Sequence, residues 1–137
     1  MNTSKPTSVN IEVLLTAALQ AREKAYAPYS NFPVGAALLT EDGQIFTGCN
    51  IENASYAATV CAERVAVFKA VSAGQKSIKV LCIVADLPQP IPPCGICRQV
   101  ISEFGPNAEV VMANTKNQLQ TTTMKELLPF AFELPER

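Results

Sequence analysis

The sequence predicts an α/β fold, a three-layer α/β/α sandwich with a mixed central sheet, and three observations predict it. Apolar periodicity changes along the chain from helix to hairpin to helix to strand to helix to strand. Strands separated by helices need crossovers, which lay helices on the sheet faces. The run Ile78–Ala85 is β-branched and nearly all apolar, as a strand covered on both faces must be. A length of 137 residues, with 48% hydrophobic and 17% charged content, fits one globular domain over 1–137. A chain of that size can bury roughly two-thirds of its unfolded surface.

The elements follow in order. Ile11, Leu14, Leu15, Ala18, Leu19 and Ala25 recur at helical spacing, so a helix is expected from about Ser8, a possible N-cap, to Ala25. Ala27-Pro28 ends it, because the residue before proline avoids the helical region. Val34–Thr40 reads as a strand, Asp42-Gly43 as a hairpin turn, and Ile45 to about Ile51 as the return strand. Glu52 to Thr59 is polar and irregular. Cys61 to Ala73 is a helix stopped by Gly74, and Ile78–Ala85 a central strand. Pro88, Pro90, Pro92 and Pro93 force an extended loop. A helix over Cys94–Phe104, a strand over Glu109–Asn114, an edge strand over Leu119–Thr122 and a short helix over Met124–Leu128 complete the chain.

Composition narrows the function. The formal net charge is −1 and Lys and Arg form no cluster, which argues against nucleic acid as partner. No apolar run has the length of a membrane span, and Met1–Ser8 is polar, so no membrane association and a cytoplasmic location are expected. Five cysteines, an odd number, argue against a disulfide framework. The chain has no histidine. Any transition-metal site must therefore use thiolates or carboxylates, and acid–base work must fall to another residue type.

Two segments carry chemistry: Cys61-Ala62-Glu63-Arg64 and Pro93-Cys94-Gly95-Ile96-Cys97-Arg98. Both open predicted helices, where free N–H groups and the helix dipole favour thiolates. Three thiolates brought together by two helix starts make a Zn²⁺ site. A structural zinc takes four protein ligands and a catalytic one keeps a position open. Cys49 and Cys82 lie on predicted strands outside any paired motif and read as core thiols, so the three-ligand site with an open position is the better reading. Three thiolates make the site net negative. Arg64, three residues after Cys61, or Arg98, directly after Cys97, can offset that charge by donating to sulfur. Glu63, in the first helical turn, is the proton carrier available beside metal-activated water.

Cys61-Ala62-Glu63 followed by Pro93-Cys94-Gly95-Ile96-Cys97 resembles the zinc deaminase signature. Further segments make the chain similar to the small three-cysteine cytidine deaminases. These are Tyr26-Ala27-Pro28-Tyr29-Ser30, Phe32-Pro33-Val34-Gly35-Ala36-Ala37, Gly48-Cys49-Asn50-Ile51-Glu52-Asn53, Arg98-Gln99-Val100 and Glu126-Leu127-Leu128-Pro129. The resemblance runs from about Tyr26 to Phe132. It implies one Zn²⁺ per chain and hydrolytic deamination of cytidine and 2′-deoxycytidine in pyrimidine salvage. It implies that zinc-bound hydroxide attacks C4, with Glu63 shuttling protons to N3 and the leaving amino group. Phe32 would pack on the pyrimidine, Asn50 and Glu52 would hold the ribose hydroxyls, and Ala62 would line the substrate site. It also implies a homotetramer whose sites are completed by neighbouring chains. By position Tyr56 and Phe132 would do so, with Phe130 an alternative to Phe132.

Other readings stay open at this stage. Blasticidin-type nucleoside deamination uses the same Cys-Ala-Glu and Pro-Cys-Gly-x-Cys segments. A polynucleotide or mononucleotide deaminase is disfavoured by the charge. A non-catalytic zinc module would need a fourth ligand and would leave Glu63 without a role.

Overall fold

The computed structural model of the chain describes residues 4–135. Helix α1 is Ser4–Arg22, strands β1 and β2 are Val34–Thr40 and Ile45–Cys49, and α2 is Ala62–Ser72. Strand β3 is Ile78–Ala85, α3 is Gly95–Phe104, β4 is Glu109–Asn114, β5 is Leu119–Thr123 and α4 is Met124–Leu127, with a 3₁₀ turn at Tyr56–Ala58. The sheet order is β2-β1-β3-β4-β5. β1 runs antiparallel to both β2 and β3, β3 and β4 are parallel, and β5 returns antiparallel to β4. The sheet is mixed, as expected. The parallel pair β3 and β4 is joined through α3, because parallel neighbours need a crossover.

Two apolar clusters fill the spaces on either side of the sheet. On one face Leu14 and Ala18 of α1 pack with Ala37, Leu39, Val80, Cys82, Val84, Val111 and Ala113. On the other, Ala66, Val67 and Ala70 of α2, Cys97 and Ile101 of α3 and Met124 of α4 pack with Ala36, Leu38, Leu81, Ile83, Val110 and Met112. From Val80 onward in β3, and along β1 and β4, odd and even positions thus enter different clusters, as the two-residue period of a strand requires; Ile78, beside a register shift, joins the cluster of Leu81 and Ile83. With both faces covered, these three strands are apolar almost throughout.

Element boundaries differ from the sequence reading in three places. Ser8 is not an N-cap, because α1 already begins at Ser4. Pro6 falls in its first turn, where a missing N–H breaks no helical bond. The helix stops at Arg22, not Ala25, because Tyr26 is drawn into a bridge with Ile51. The Tyr26 amide donates to the Asn50 carbonyl at 3.0 Å and the Glu52 amide to the Tyr26 carbonyl at 2.8 Å. For the same reason β2 ends at Cys49, and Ile51 pairs with Tyr26 and Val60. Among the described residues no helix is long and apolar enough to cross a membrane.

Candidate active site

The C-terminal end of β3 lies beside the start of β1, with Ala85 opposite Val34. Crevices outside the carboxyl ends of strands are the usual ligand sites of α/β sheets. A cavity of about 270 Å³ opens here. Phe32, Asn50, Glu52, Cys61, Ala62, Glu63 and Cys94 all line it. Residues from three separate parts of the sequence therefore converge on one space.

Helix starts build the metal-ligating part. Cys61 is the N-cap of α2 and Cys94 the N-cap of α3, both with extended backbone (φ −72°, ψ 157° and φ −68°, ψ 171°). Neither thiol caps its own helix, so both sulfurs stay available. Cys97 sits one turn into α3 and is fully buried. The three sulfurs lie within 4.8 Å of one another. The Cys61 and Cys94 sulfurs are 4.0 Å apart. Tetrahedral zinc with bonds of about 2.3 Å holds its sulfurs about 3.8 Å apart, so the cluster fits the ion with shifts of an ångström or less. No fourth cysteine or carboxylate joins this cluster among the described residues.

The electrostatics agree with a thiolate site. Hydrogen bonding from Cys97 and the Arg64 guanidinium hold the Cys61 thiol low, at about 5, against the penalty of partial burial. The Cys61 thiolate and burial in turn push Cys97 up. Of these two thiols, ionisation is therefore favoured on Cys61. Arg64 donates from Nη2 to the Cys61 sulfur and to the Thr59 carbonyl, each at 3.5 Å. Its Nε is buried without a partner. Arg98 takes a different course. Its guanidinium donates to the carbonyls of Pro93 and Leu127, at 2.8 and 2.9 Å, and so clamps backbone rather than sulfur.

Glu63 is the second residue of α2 and only 5% exposed. Burial raises its carboxyl to about 7. A group poised there accepts and releases a proton near neutral pH.

The opposite wall is polar. Asn50 is buried and uses both ends of its amide on the Phe32 segment: Oδ1 accepts from the Val34 amide at 2.8 Å, and Nδ2 donates to the Phe32 carbonyl at 2.9 Å. Glu52 Oε1 accepts from the amides of Tyr29 and Ser30 at 2.9 and 3.1 Å, and Oε2 accepts from the Ser30 hydroxyl. These bonds hold Glu52 ionised below the usual carboxylate range, the Ser30 hydroxyl most of all.

Two expected site residues stand apart. Tyr56, 74% exposed, lines an adjoining cavity with Tyr29, Ser30, Glu52 and Thr59, its ring 6.0 Å from that of Tyr29. Phe132 lies with Ser102, Glu103 and Pro106 near the end of α3, and the Gln99 side chain donates to its carbonyl at 3.0 Å. Phe130 is fully exposed. Neither phenylalanine reaches its own chain's cavity. Of the thiols read as core, Cys82 is buried, but Cys49 is half-buried and opens on a groove between α1 and α2. Sequence reasoning missed Ser30, Thr59, Ile91 and Pro92 as lining residues. Ile91 and Pro92 directly precede Pro93-Cys94, which was the available signal.

The chain matches the family described as cytidine and deoxycytidylate deaminase zinc-binding region over residues 8–114. It is 54% identical to a cytidine deaminase of Sporosarcina psychrophila over 125 residues, 90% of this chain and 92% of that one. It is 52% identical to a cytidine deaminase of Halalkalibacterium halodurans, covering 88% and 92% of the two chains. The fold superposes on the crystal structure of cytidine deaminase from Burkholderia pseudomallei with a TM-score of 0.86 at 52% identity, covering 88% of this chain and 98% of that one.

Proposed function

The chain belongs to the cytidine and deoxycytidylate deaminase zinc-binding family, and from that membership we propose that it hydrolyses free cytidine and 2′-deoxycytidine to the uridine nucleosides and ammonia, as a step of pyrimidine salvage. The observation that carries this reading is the pairing of buried Glu63 with a three-thiol cluster on one small cavity. A closed structural zinc would leave Glu63 buried for no purpose.

Cys61, Cys94 and Cys97 would hold the metal. Zinc bound there supplies a water acidic enough to attack at neutral pH. Glu63, lining the same cavity, would take up a proton from the attacking water and hand it to ring N3. Glu63 then carries the second proton to the exocyclic nitrogen, the C4–N bond breaks, and ammonia leaves with the carboxylate restored. Arg64 and the helix starts offset the thiolate charge. Phe32 packs on the pyrimidine, Asn50 and Glu52 take the ribose hydroxyls, and Ala62 lines the base. The domain is single over 1–137 and works as a cytoplasmic homotetramer, with Tyr56 and a C-terminal phenylalanine, Phe132 or Phe130, reaching the neighbouring site.

Ammonia release tests the substrate class. Purified protein, assayed for zinc content, is given cytidine, cytosine, CMP or single-stranded DNA. The proposal expects one zinc per chain and release from cytidine above all others. Preference for CMP or DNA would overturn it.

A further inference from the structure

We propose that Ser30 is a positioning residue for the ribose end of the cavity, its hydroxyl aiming the Glu52 carboxylate. This rests on the reading of Glu52 as a ribose contact.

A carboxylate offers about four acceptor positions. Both positions of Glu52 Oε1 are filled by the Tyr29 and Ser30 amides, and one on Oε2 by the Ser30 hydroxyl. One position on Oε2 is left for a ligand. The turn that makes this possible is tight: Asn31 takes a left-handed backbone at φ 56°, which asparagine tolerates. The Ser30 oxygen also accepts from the Phe32 amide at 3.1 Å. One hydroxyl thus ties the ribose-facing carboxylate to the residue that faces the pyrimidine. Ser30 and Glu52 line both the cavity of Glu63 and the adjoining cavity of Tyr56, and so stand at their boundary.

Without the hydroxyl, Oε2 loses the donor that fixes its direction, and the last torsion of a glutamate is intrinsically broad. Phe32 remains held through Asn50, which grips its carbonyl and the Val34 amide independently. The loss should therefore fall on ribose recognition, not on the base. A serine that merely shaped the turn would weaken every substrate alike.

The test compares cytidine with 2′,3′-dideoxycytidine in the zinc-loaded enzyme. For Ser30→Ala the expected result is a rise in the KM for cytidine of about tenfold, the scale of a hydrogen bond to a charged group, with kcat within about twofold. The KM for the dideoxynucleoside should stay unchanged. Ser30→Thr should restore the cytidine KM, and Ser30→Cys, a weaker donor of similar size, should fall between. An unchanged cytidine KM, a parallel rise for both substrates, or a fall in kcat alone would overturn the inference. Glu52→Gln separates the two readings. If Glu52→Gln raises the cytidine KM and Ser30→Ala does not, only the role of Ser30 fails. If Glu52→Gln leaves that KM unchanged, the ribose contact itself fails, and the inference with it.

Discussion

Burial acts directly on the Glu63 carboxyl. The unfolded chain ionises a glutamate near 4.5, whereas the fold holds Glu63 protonated up to about 7. Below 4.5 it is protonated in both states, and its neutral form then contributes fully to stability. As pH rises from 4.5 to 7 only the unfolded state gives up the proton, so that contribution is lost, by a few kcal/mol at most. Glu63→Gln is neutral at every pH. In metal-stripped protein the variant should gain on the parent as pH rises through this window. Urea midpoints at pH 5 and pH 8 measure it, and a difference that does not change with pH contradicts the burial argument. Arg64 and Arg98 show how far single residues were legible. Arg64 is one turn after Cys61 on the same helix, and that spacing foretold its contact with sulfur. Arg98 follows Cys97 by one residue, and its guanidinium is divided between the nearby Pro93 carbonyl and the Leu127 carbonyl, 29 residues away. No local spacing encodes that.

At the scale of elements, two glycines set how closely helices approach the sheet. A Cβ on Gly48 would lie 2.5 Å from the Ala62 carbonyl oxygen and 2.6 Å from the Ala66 nitrogen of α2. A Cβ on Gly35 would lie 2.0 Å from the Ala18 carbonyl oxygen of α1. Backbone cannot give way as a flexible side chain does, so Gly48→Ala and Gly35→Ala should each destabilise by about 1–3 kcal/mol or more. Only α2 carries Cys61 and Glu63. Gly48→Ala should therefore also speed zinc loss to a chelator, while Gly35→Ala, on the far face, should leave zinc retention near the parent's. Equal effects on retention would refute this division of the layers. The elements themselves were largely readable. β3 matches its run of β-branched residues at both ends, and Cys61 and Cys94 fall at the N-caps where two helix starts were expected. The errors cluster where tertiary pairing competes with local pattern. The sequence pattern carries the return strand on to Ile51, yet Ile51 exchanges backbone bonds with Val60, and Tyr26, just past the expected helix, bonds to Asn50 and Glu52 on either side of it.

At the scale of the whole molecule, the sandwich leaves Tyr56, Phe68, Phe130 and Phe132 exposed. Aromatic rings left on the surface favour interfaces. The proposed tetramer predicts a sedimentation mass of four times the 14.7 kDa chain. If Tyr56 and Phe132 complete a neighbour's site, mixing inactive Glu63→Gln chains with Phe132→Ala chains should restore some turnover by forming intact sites. A monomeric mass, or no recovery on mixing, would count against shared sites. The proposed assembly rests on resemblance alone, because one chain's sequence contains no direct record of which surface meets a copy of itself. The central claim is that a three-thiolate metal site and Glu63 together make one catalyst. The most direct measurement is zinc stoichiometry together with ammonia release from cytidine for Glu63→Gln. The account predicts one zinc per chain, an unchanged fold, and turnover reduced by several orders of magnitude. Turnover close to the parent's, with zinc retained, would contradict it.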